Sequence, residues 1–352
     1  MKVLGIETSC DETAAAVVED GRRLLSNVVA SSMDLQAQYG GVVPEIAARS
    51  HIEAILPVIH QALSDADCTW DDIDAIAVTH GAGLGGSLLV GVMTARSLAI
   101  AHGKPLYGVN HVMGHVYANF LTSSALPGYA MPAQPPQFPM LAIIVSGGHS
   151  QLALFEDHFN YQLLGRTQDD AIGEAFDKVA KILGLPYPGG PQVAAAAAKG
   201  NPLTFTLPKA KMGKYDFSFS GLKTAVLRLA QAQIGETHEF ASTKLAARLS
   251  EAQKHDIAAS FQRVAIETIV DKARLAYDEF APVSVVVAGG VAANAELRRQ
   301  LVAALPLSIE FPDLKLCTDN GAMIATLGCF HVKTGQPADD PYALGIAPNL
   351  SM

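Results

Sequence analysis

Short apolar runs alternate with stretches of helical periodicity along the first 120 residues. Apolar runs of about four to eight residues are typical of buried strands, and apolar residues recurring every three or four positions are typical of helices. Pro44 suits a first helical position, where its missing N–H is not needed. The pattern predicts strands over Val3–Glu7, Ala14–Glu19, Leu24–Ala30, Ile73–Thr79 and Leu106–Val109, and helices over Pro44–Leu63, over Ser87–Ala101 and from near Asn110.

The same order starts again after residues 124–139, which carry five prolines and no charge and are predicted to connect two lobes. Strands are predicted over Leu141–Val145, Gln151–Phe155 and Val283–Ala288, followed by a helix from about Ala292. Residues 141–156 resemble 3–19, and residues 284–301 resemble 74–91, in the same order. The repeat predicts two related α/β lobes around a central cleft: an N-terminal lobe (1–120), a connection (121–139), a C-terminal lobe (140–318) and a segment returning to the first lobe (319–352).

Composition narrows the class of protein. Hydrophobic residues make up 49% of the chain, which excludes general disorder. Glycines and charges interrupt every long apolar stretch, so we expect no membrane span and a cytoplasmic protein. The four cysteines form no C-x-x-C pair. The net charge of −9 argues against a general nucleic-acid binder, although not against an enzyme that modifies a selected RNA.

Two glycine-rich turns could bind a nucleotide, because a bare backbone N–H can approach a phosphate closely. Ser146-Gly147-Gly148 lies between two predicted strands, where an ordinary hairpin is the alternative. Gly289-Gly290 precedes Asn294, which could contact a ribose or base; close packing of a strand on a helix is the alternative. No Gly-Lys-Ser/Thr sequence follows Gly83, so a Walker loop is excluded.

His111 and His115 are four residues apart, so both fall on one face of a helix and could chelate one metal ion. The residue after His111 is Val112, whereas a metalloprotease of the H-E-x-x-H type needs a glutamate there. A carboxylate elsewhere would complete the set. Asp319 is a candidate, and its alternative role is to cap a helix N-terminus.

Two further acidic sites are candidates. Glu174, Asp177 and Lys178 share one helix face, either as a solvated ion pair or as a wall contacting a ligand. Asp11 lies in the turn predicted between the first two strands and could accept a proton. Its alternative role is to hydrogen-bond its own turn.

Eight segments together resemble the TsaD-type tRNA threonylcarbamoyladenosine transferases, formerly described as O-sialoglycoprotein endopeptidases. The resemblance extends from about Val3 to Leu327. The segments are, in order, GIETSCDET, GGVVPEIAARSHIE, NHVMGHVYAN, VSGGHSQL, DDAIGEAFDKVAKILGLPYPGGP, FSFSGLKTA, AGGVAAN and CTDNGAMIA.

The resemblance implies a two-lobed actin/Hsp70/sugar-kinase-like (ASKHA) fold. It implies transfer of a threonylcarbamoyl group from threonylcarbamoyl-AMP to the N6 amine of the adenine beside the anticodon, in tRNAs reading codons that begin with A, with release of AMP. His111, His115 and Asp319 match the metal ligands of the family, with iron(II) as the expected metal and zinc as the alternative.

Other positions follow from the same resemblance. The positions matching the adenylate contacts are Ile144, Val145, Ser146, Gly147, Gly148, Asp177, Gly190 and Asn294. The expected partners are tRNA, an inactive paralogous subunit and a small ATPase subunit. Asp11 is our candidate for the group that accepts the amine proton.

Three other classes of function are weighed against this one. A phosphotransferase or ATP-driven chaperone of the same fold would turn over ATP without tRNA and would not need His111. A metalloprotease lacks its glutamate. A non-catalytic paralogue would have lost the candidate ligands, which are all present here.

Overall fold

A computed structural model describes residues 1–352. The strands are β1 (Lys2–Glu7), β2 (Glu12–Glu19), β3 (Arg23–Ser31), β4 (Ala75–Gly81), β5 (Leu106–Asn110), β6 (Ser123–Ser124), β7 (Met140–Val145), β8 (Ser150–Asp157), β9 (Asn160–Arg166) and β10 (Ser284–Ala288). The helices are α1 (Met33–Ala37), α2 (Pro44–Asp65), α3 (Gly85–His102), α4 (His111–Tyr117), α5 (Ile172–Leu183), α6 (Gly189–Ala197), α7 (Ser220–Gln233), α8 (Glu251–Phe280), α9 (Ala295–Ala304) and α10 (Gly321–Lys333). None of the helices is both long and apolar enough to span a membrane.

The chain divides into two compact units. Unit 1 comprises Met1–Gln137, Val286–Gly289 and Glu310–Met352, and unit 2 comprises Phe138–Val285 and Gly290–Ile309. The finer division into lobes, connection and returning segment stays a prediction. The proline-rich stretch forms no helix or strand between Ser124 and Met140.

Unit 1 is built on a six-stranded sheet of order β5-β4-β1-β2-β3-β6. β1 pairs antiparallel with β2 and parallel with β4, and β4 pairs parallel with β5. The parallel pairing places the carboxyl ends of β1, β4 and β5 along one edge of the sheet. Polar residues that end these strands therefore lie close together, although they are far apart in sequence.

The two faces of this sheet are packed differently. Leu4 and Ile6 of β1 join a core cluster with Ile55 and Ile59 of α2 and Val92 of α3. Side chains alternate along a strand, so the residues between these positions point to the opposite face. That opposite face is covered by α10, which packs on β1, β2 and β4.

Glycines allow the backbone of α10 to lie directly on the sheet. A Cβ added to Gly5 of β1 would come within 2.3 Å of the Ala325 nitrogen, and one added to Gly321 within 2.5 Å of the Ala15 carbonyl carbon. A Cβ added to Gly328 would meet Ala77 of β4 at 2.4 Å. Real Cβ atoms do not approach other atoms this closely, so any side chain at these glycines would force the helix away.

Unit 2 contains the antiparallel meander of β7, β8 and β9, three strands of a sheet of order β10-β7-β8-β9. Every residue of β7 is buried. The long helix α8 begins with a capping box between Ser250 and Gln253, and Phe261 on α8 packs against Phe176 of α5 at a centroid distance of 5.0 Å. The two segment pairs predicted to repeat fold alike: β1–β2 and β7–β8 are hairpins, and β4–α3 and β10–α9 are strand–turn–helix units.

The predicted elements are confirmed, with ends that shift by up to three residues; α3, for example, begins at Gly85 rather than Ser87. Glu12 and Thr13 belong to β2, so the first turn comprises only residues 8–11. The fourth strand begins at Ala75 rather than Ile73. Helix α9 begins at Ala295 rather than Ala292, because the Asn294 side chain accepts hydrogen bonds from the N–H groups of Glu296 and Leu297 and so caps the helix there.

Replacing Gly5 by alanine should destabilise unit 1 by about 3 kcal/mol or more, at the upper end of the cost of overpacking a core, because the new methyl group would meet helix backbone. Gly85→Ala is the matched control. Its added methyl would meet only ordinary contacts at 3.7 and 3.9 Å. Chemical denaturation of both variants measures the difference, and equal stabilities would contradict the close packing of α10.

Candidate metal centre and nucleotide-binding turns

The two histidines lie on the short helix α4, which follows β5. Asn110 caps this helix, with its side chain accepting a hydrogen bond from the Met113 N–H. His111 and His115 are one turn apart, with ring centroids separated by 4.8 Å and ring planes nearly perpendicular. Both are buried, so α4 presents its imidazoles to the interior of unit 1 and not to solvent.

Asp319 lies two residues before the start of α10, next to its N-cap. The helix is capped by Asn320, whose side chain accepts a hydrogen bond from the Met323 N–H. The alternative role of Asp319 as the N-cap is therefore wrong. Gly114, between the histidines, packs on Ile324 of α10, where an added Cβ would come within 2.9 Å of the Ile324 side chain. This contact sets α4 against the start of α10.

The structure brings His111, His115 and Asp319 together. Asp319 Oδ1 lies 3.2 Å from His115 Nε2 and 3.6 Å from His111 Nε2, and one ligand atom from each residue lies within 4.8 Å of the others. Two ligand atoms about 2.1 Å from one ion are separated by roughly 3.0–3.6 Å. The two contacts of Asp319 fall in this range, whereas the ligand atoms farthest apart, at up to 4.8 Å, would have to move closer together to share one cation.

The hydrogen bonding of His115 supports the same interpretation. Both ring nitrogens of His115 are buried, and neither makes a hydrogen bond, although Nε2 is close to Asp319. A buried imidazole without partners loses the hydrogen bonds that it would make in water. A metal ion at Nε2 would supply the missing partner, so the donor set fits a resident cation.

His111 is contacted on its Nδ1 side by Glu7, the residue that ends β1. Glu7 is fully buried, and its Oε2 lies 3.2 Å from His111 Nδ1. Thr79, on the neighbouring strand β4, donates its hydroxyl to the same oxygen at 2.5 Å. Ser9 Oγ lies 3.0 Å from His111 Nδ1, and the Ser9 N–H donates to Glu7 Oε1 at 2.5 Å. These contacts occupy Nδ1 and leave Nε2 directed towards Asp319.

The pKa values of His111 and Glu7 are determined mainly by the opposite charges around them. Burial opposes a charge on His111, but Asp319 and Glu7 outweigh it and raise the pKa of His111 to about 9. Burial also acts to raise the pKa of Glu7, but His111 outweighs it and holds that pKa below its usual value. Glu7 is therefore a buried carboxylate, and His111 is the cation at neutral pH, with a proton on both ring nitrogens, unless a metal displaces the proton of Nε2.

Asp11 lies in the turn between β1 and β2, beside Glu12. Burial, a hydrogen bond to Asp11 and the charges of Asp11 and Asp319 raise the pKa of Glu12 well above its usual range. The turn itself is fixed by His51 of α2, which is fully buried. Its Nε2 lies 3.1 Å from the Cys10 carbonyl oxygen, and its Nδ1 lies 2.8 Å from Thr13 Oγ1. These hydrogen bonds fix the turn that carries Asp11 and Glu12.

Residues 146–149 form a hairpin turn between β7 and β8 in unit 2. The Ser146 N–H donates to the His149 carbonyl, and the His149 N–H donates to Ser146 Oγ. The N-terminus of α5 lies against this turn, because the Gly173 N–H donates to the Ser146 carbonyl at 3.2 Å. Gly147 and Gly148 remain exposed. Helix N-termini carry a partial positive charge, so the turn offers a favourable place for an anion.

Asp177 lies where α5 contacts the start of α6, at Gly189, the residue before Gly190. Asp177 Oδ1 accepts a hydrogen bond from the Gly189 N–H at 2.7 Å, which holds the start of α6. Glu174 and Lys178, the other two residues of the predicted ligand-contacting face, form an ion pair. Lys178 Nζ lies 2.8 Å from Glu174 and 2.7 Å from Asp170. The structure therefore separates Asp177 from the salt-bridged residues of the same face.

Asn294 caps α9, and its Nδ2 donates to Gln262 Oε1 at 3.0 Å. A groove of about 380 Å³ lies beside it, lined in part by Gln262, Arg263 and Arg299. Ile144 and Val145 are the last two residues of β7 and are fully buried. Their side chains therefore pack in the core, and only the backbone that follows them is exposed.

The sequence analysis missed Glu7, Ser9, Thr79 and His51. Glu7 offered one signal, a carboxylate that directly ends an apolar strand, because a buried charge needs a partner. The partners of Glu7 could not be identified in advance, since Thr79 and His111 approach it only through the pairing of the strands.

Among solved structures, the chain resembles component A of the (R)-2-hydroxyglutaryl-CoA dehydratase of Acidaminococcus fermentans. The TM-score is 0.50, the sequence identity is 17%, and the match covers 95% of this chain and 99% of that one. A likeness at this identity shows the fold alone. The chain has the two-lobed actin/Hsp70/sugar-kinase-like α/β fold, as predicted.

Sequence relatives are closer. A tRNA N6-adenosine threonylcarbamoyltransferase of Symbiobacterium thermophilum is 51% identical, with coverage of 99% of this chain and 96% of the relative. A protein of the same name from Thermomicrobium roseum is 49% identical, with coverage of 96% and 94%. The family profile described as "TsaD: tRNA N6-adenosine threonylcarbamoyltransferase" matches residues 23–326. The chain therefore belongs to the TsaD family, the tRNA N6-adenosine threonylcarbamoyltransferases.

Proposed function

We propose that this protein transfers the threonylcarbamoyl group of threonylcarbamoyl-AMP to the N6 amine of the adenine beside the anticodon, in tRNAs reading codons that begin with A, and releases AMP. The observation that carries the proposal is the cluster of two buried histidines, His111 and His115, with the partly buried Asp319, in a chain that belongs to this family. A catalytically inactive paralogue would not need to keep these three groups together.

The cluster would hold one divalent metal ion. Two imidazoles and one carboxylate are typical ligands of iron(II) with open coordination positions, so iron(II) is the proposed metal and zinc the alternative. When bound, the ion supplies Lewis-acid polarisation of a substrate oxygen. The ligands come from α4 and from the start of α10, which pack on each other at Gly114.

The adenylate would be bound by unit 2. We propose that the backbone N–H groups of Ser146–Gly148 orient its phosphate beside the N-terminus of α5, with Ile144 and Val145 fixing the turn from the core. Gly147 and Gly148 support this. Neither has a positive φ, and a Cβ on either would meet nothing within 4 Å. The fold does not require glycine there, whereas a closely approaching ligand would.

Three more residues of unit 2 complete the proposed nucleotide site. Asp177 and Asn294 would hold the nucleoside, and the bare backbone of Gly190 would allow its close approach. A Cβ on Gly190 would also meet open space, and the groove beside Asn294 provides room for a ring system. Since AMP is a good leaving group, positioning and electrostatics would supply most of the rate.

The transfer forms one bond and breaks one. The N6 amine attacks the carbamoyl carbon, the bond from that carbon to the phosphate oxygen breaks, and AMP departs with the electron pair. The amine loses one proton, which we assign to Asp11. Burial, a hydrogen bond to Asp11 and the neighbouring charges raise the pKa of Glu12 beside it and so oppose ionisation of Glu12. The target base would have to leave its stack to react.

The net charge of the chain and an exposed apolar surface support the proposed partner subunits. With a net charge of −9, the chain is a poor unaided binder of tRNA, so we propose that it works with an inactive paralogous subunit and a small ATPase subunit in the cytoplasm. The face formed by α2 and α3 would contact the paralogue. Four of its apolar side chains are largely exposed, namely Ile52 (66%), Leu56 (52%), Leu89 (50%) and Met93 (46%). A contiguous apolar patch of this kind marks an interaction surface.

Mixing the protein and its partner subunits with threonylcarbamoyl-AMP and tRNA tests the reaction. We expect the modified nucleoside by mass spectrometry, together with one AMP per modified adenine. His115→Ala should remove the bound metal and reduce transfer at least about 100-fold, since loss of a metal ligand disables the centre. His60→Ala, which changes an exposed histidine on α2, should leave both unchanged.

Rapid release of ADP from ATP without tRNA, with no modified nucleoside, would instead assign the protein to the kinases or chaperones of this fold. Normal transfer and full metal content in His115→Ala would contradict the metal centre.

Gly148→Ala should weaken binding of threonylcarbamoyl-AMP about 10- to 100-fold, the worth of one or two hydrogen bonds to a charged group, because the new methyl group fills the space that the phosphate needs. Stability should be unchanged, since the methyl group meets no protein atom within 4 Å. Gly345→Ala has the same open surroundings outside the proposed site and serves as the control. Calorimetric titration measures both variants, and equal affinities would exclude the turn from the site.

Leu89→Glu should abolish association with the paralogous subunit while leaving the thermal midpoint within about 2 °C of the unaltered chain, because this half-exposed side chain contributes little to the core. Val302→Glu changes a side chain of similar exposure (55%) on α9 in unit 2 and is the control. Analytical ultracentrifugation of the mixed subunits measures association. A heterodimer that survives Leu89→Glu would show that the paralogue binds elsewhere.

A further inference from the structure

The interactions of Glu7, the last residue of β1, indicate a role beyond the stability of the strand. Both of its carboxylate oxygens are engaged: Oε1 accepts from the Ser9 N–H, and Oε2 accepts from Thr79 and faces His111 Nδ1. The side chain is fully buried. Burial of the charged Glu7 carboxylate costs free energy, and this carboxylate faces the Nδ1 side of the His111 ring.

The consequence for His111 concerns its tautomer. A neutral imidazole carries one proton, on either Nδ1 or Nε2. A carboxylate oxygen can only accept, so Glu7 places that proton on Nδ1 and leaves the Nε2 lone pair directed to the side of Asp319. Ser9 Oγ, at 3.0 Å from Nδ1, restricts rotation of the ring. His115 has no comparable support, because neither of its nitrogens is hydrogen-bonded.

We propose that Glu7 is the positioning residue of the metal centre: it fixes the tautomer and orientation of His111 so that Nε2 is available as a ligand, and Thr79 fixes Glu7 in turn. The inference rests on the proposed metal centre. Partners of this kind typically contribute 10- to 100-fold in metal affinity. Glu7 is not expected to contact the substrate, so its effect acts through His111.

Glu7→Gln tests the inference with almost no change of volume. The amide nitrogen cannot face the Ser9 N–H, because two donors would oppose each other, so it should face His111 and Thr79, whose hydroxyl can rotate to accept a hydrogen bond. There it would donate to Nδ1 and move the imidazole proton to Nε2, the metal-facing nitrogen. The expected result is a Co²⁺ affinity reduced about 10- to 100-fold in chelator competition, with an altered visible absorption spectrum of the bound Co²⁺.

The control variant is Ser26→Ala. It removes another buried hydrogen bond of the same sheet, from the Val17 N–H to Ser26 Oγ, with no contact to the cluster. A role for Glu7 in stability alone predicts that both variants lower the thermal midpoint and that neither changes Co²⁺ affinity. Positioning predicts that only Glu7→Gln loses affinity.

Each further outcome is decisive. Unchanged Co²⁺ affinity and spectrum in Glu7→Gln would overturn the inference while leaving the metal centre intact. If the unaltered protein binds no Co²⁺, Zn²⁺ or Fe²⁺, the metal centre itself fails. If Glu7→Gln does not fold, Glu7→Asp keeps the charge but withdraws the oxygen from Nδ1 by about one C–C bond. Weakened Co²⁺ binding in Glu7→Asp supports positioning, and full affinity rejects it.

Discussion

Direct packing of the α10 backbone on the central sheet is the constraint on which the rest of unit 1 depends. Because Gly5 and Gly321 lack side chains, the start of α10 lies against the backbone of β1 and β2. Asp319 precedes that start, and α4 lies against α10 at Gly114. Backbone contacts therefore determine where Asp319 lies, and the Ile324 side chain of α10 packing on Gly114 determines where the two histidines meet it. A centre built in this way has few degrees of freedom through which it could relax.

The two candidate sites use opposite physical strategies. In unit 1, both histidines are buried, Asp319 is partly buried, and His111 is supported by Glu7, which is fully removed from solvent. In unit 2, the turn at Gly147 and Gly148 exposes bare backbone, and nothing in the protein fills the space beside it. The first arrangement suits an ion that must be held in one geometry. The second suits a larger ligand that brings its own oxygen atoms.

Local pattern predicted most of the architecture, since the periodicity of apolar residues gave the strands and helices within a few residues. What it could not predict depends on contacts between distant segments. Asn320, and not Asp319, caps α10, because the cap depends on which side chain meets the free N–H groups. The spacing of His111 and His115 was visible in the sequence. The role of Glu7 was not, because it depends on the pairing of β1 with β4, which places Glu7 beside Thr79.

The discontinuity of unit 1 has a consequence for biosynthesis. His111 and His115 leave the ribosome long before Asp319, because the bulk of unit 2 is encoded between them. Roughly 200 residues separate the ligands, which corresponds to about 10–40 s of translation at typical rates. During that interval the histidine pair has neither its carboxylate nor the helix that orders it. Binding of the proposed metal ion would therefore require synthesis up to Asp319, and a chain terminated before that residue would lack the third candidate ligand.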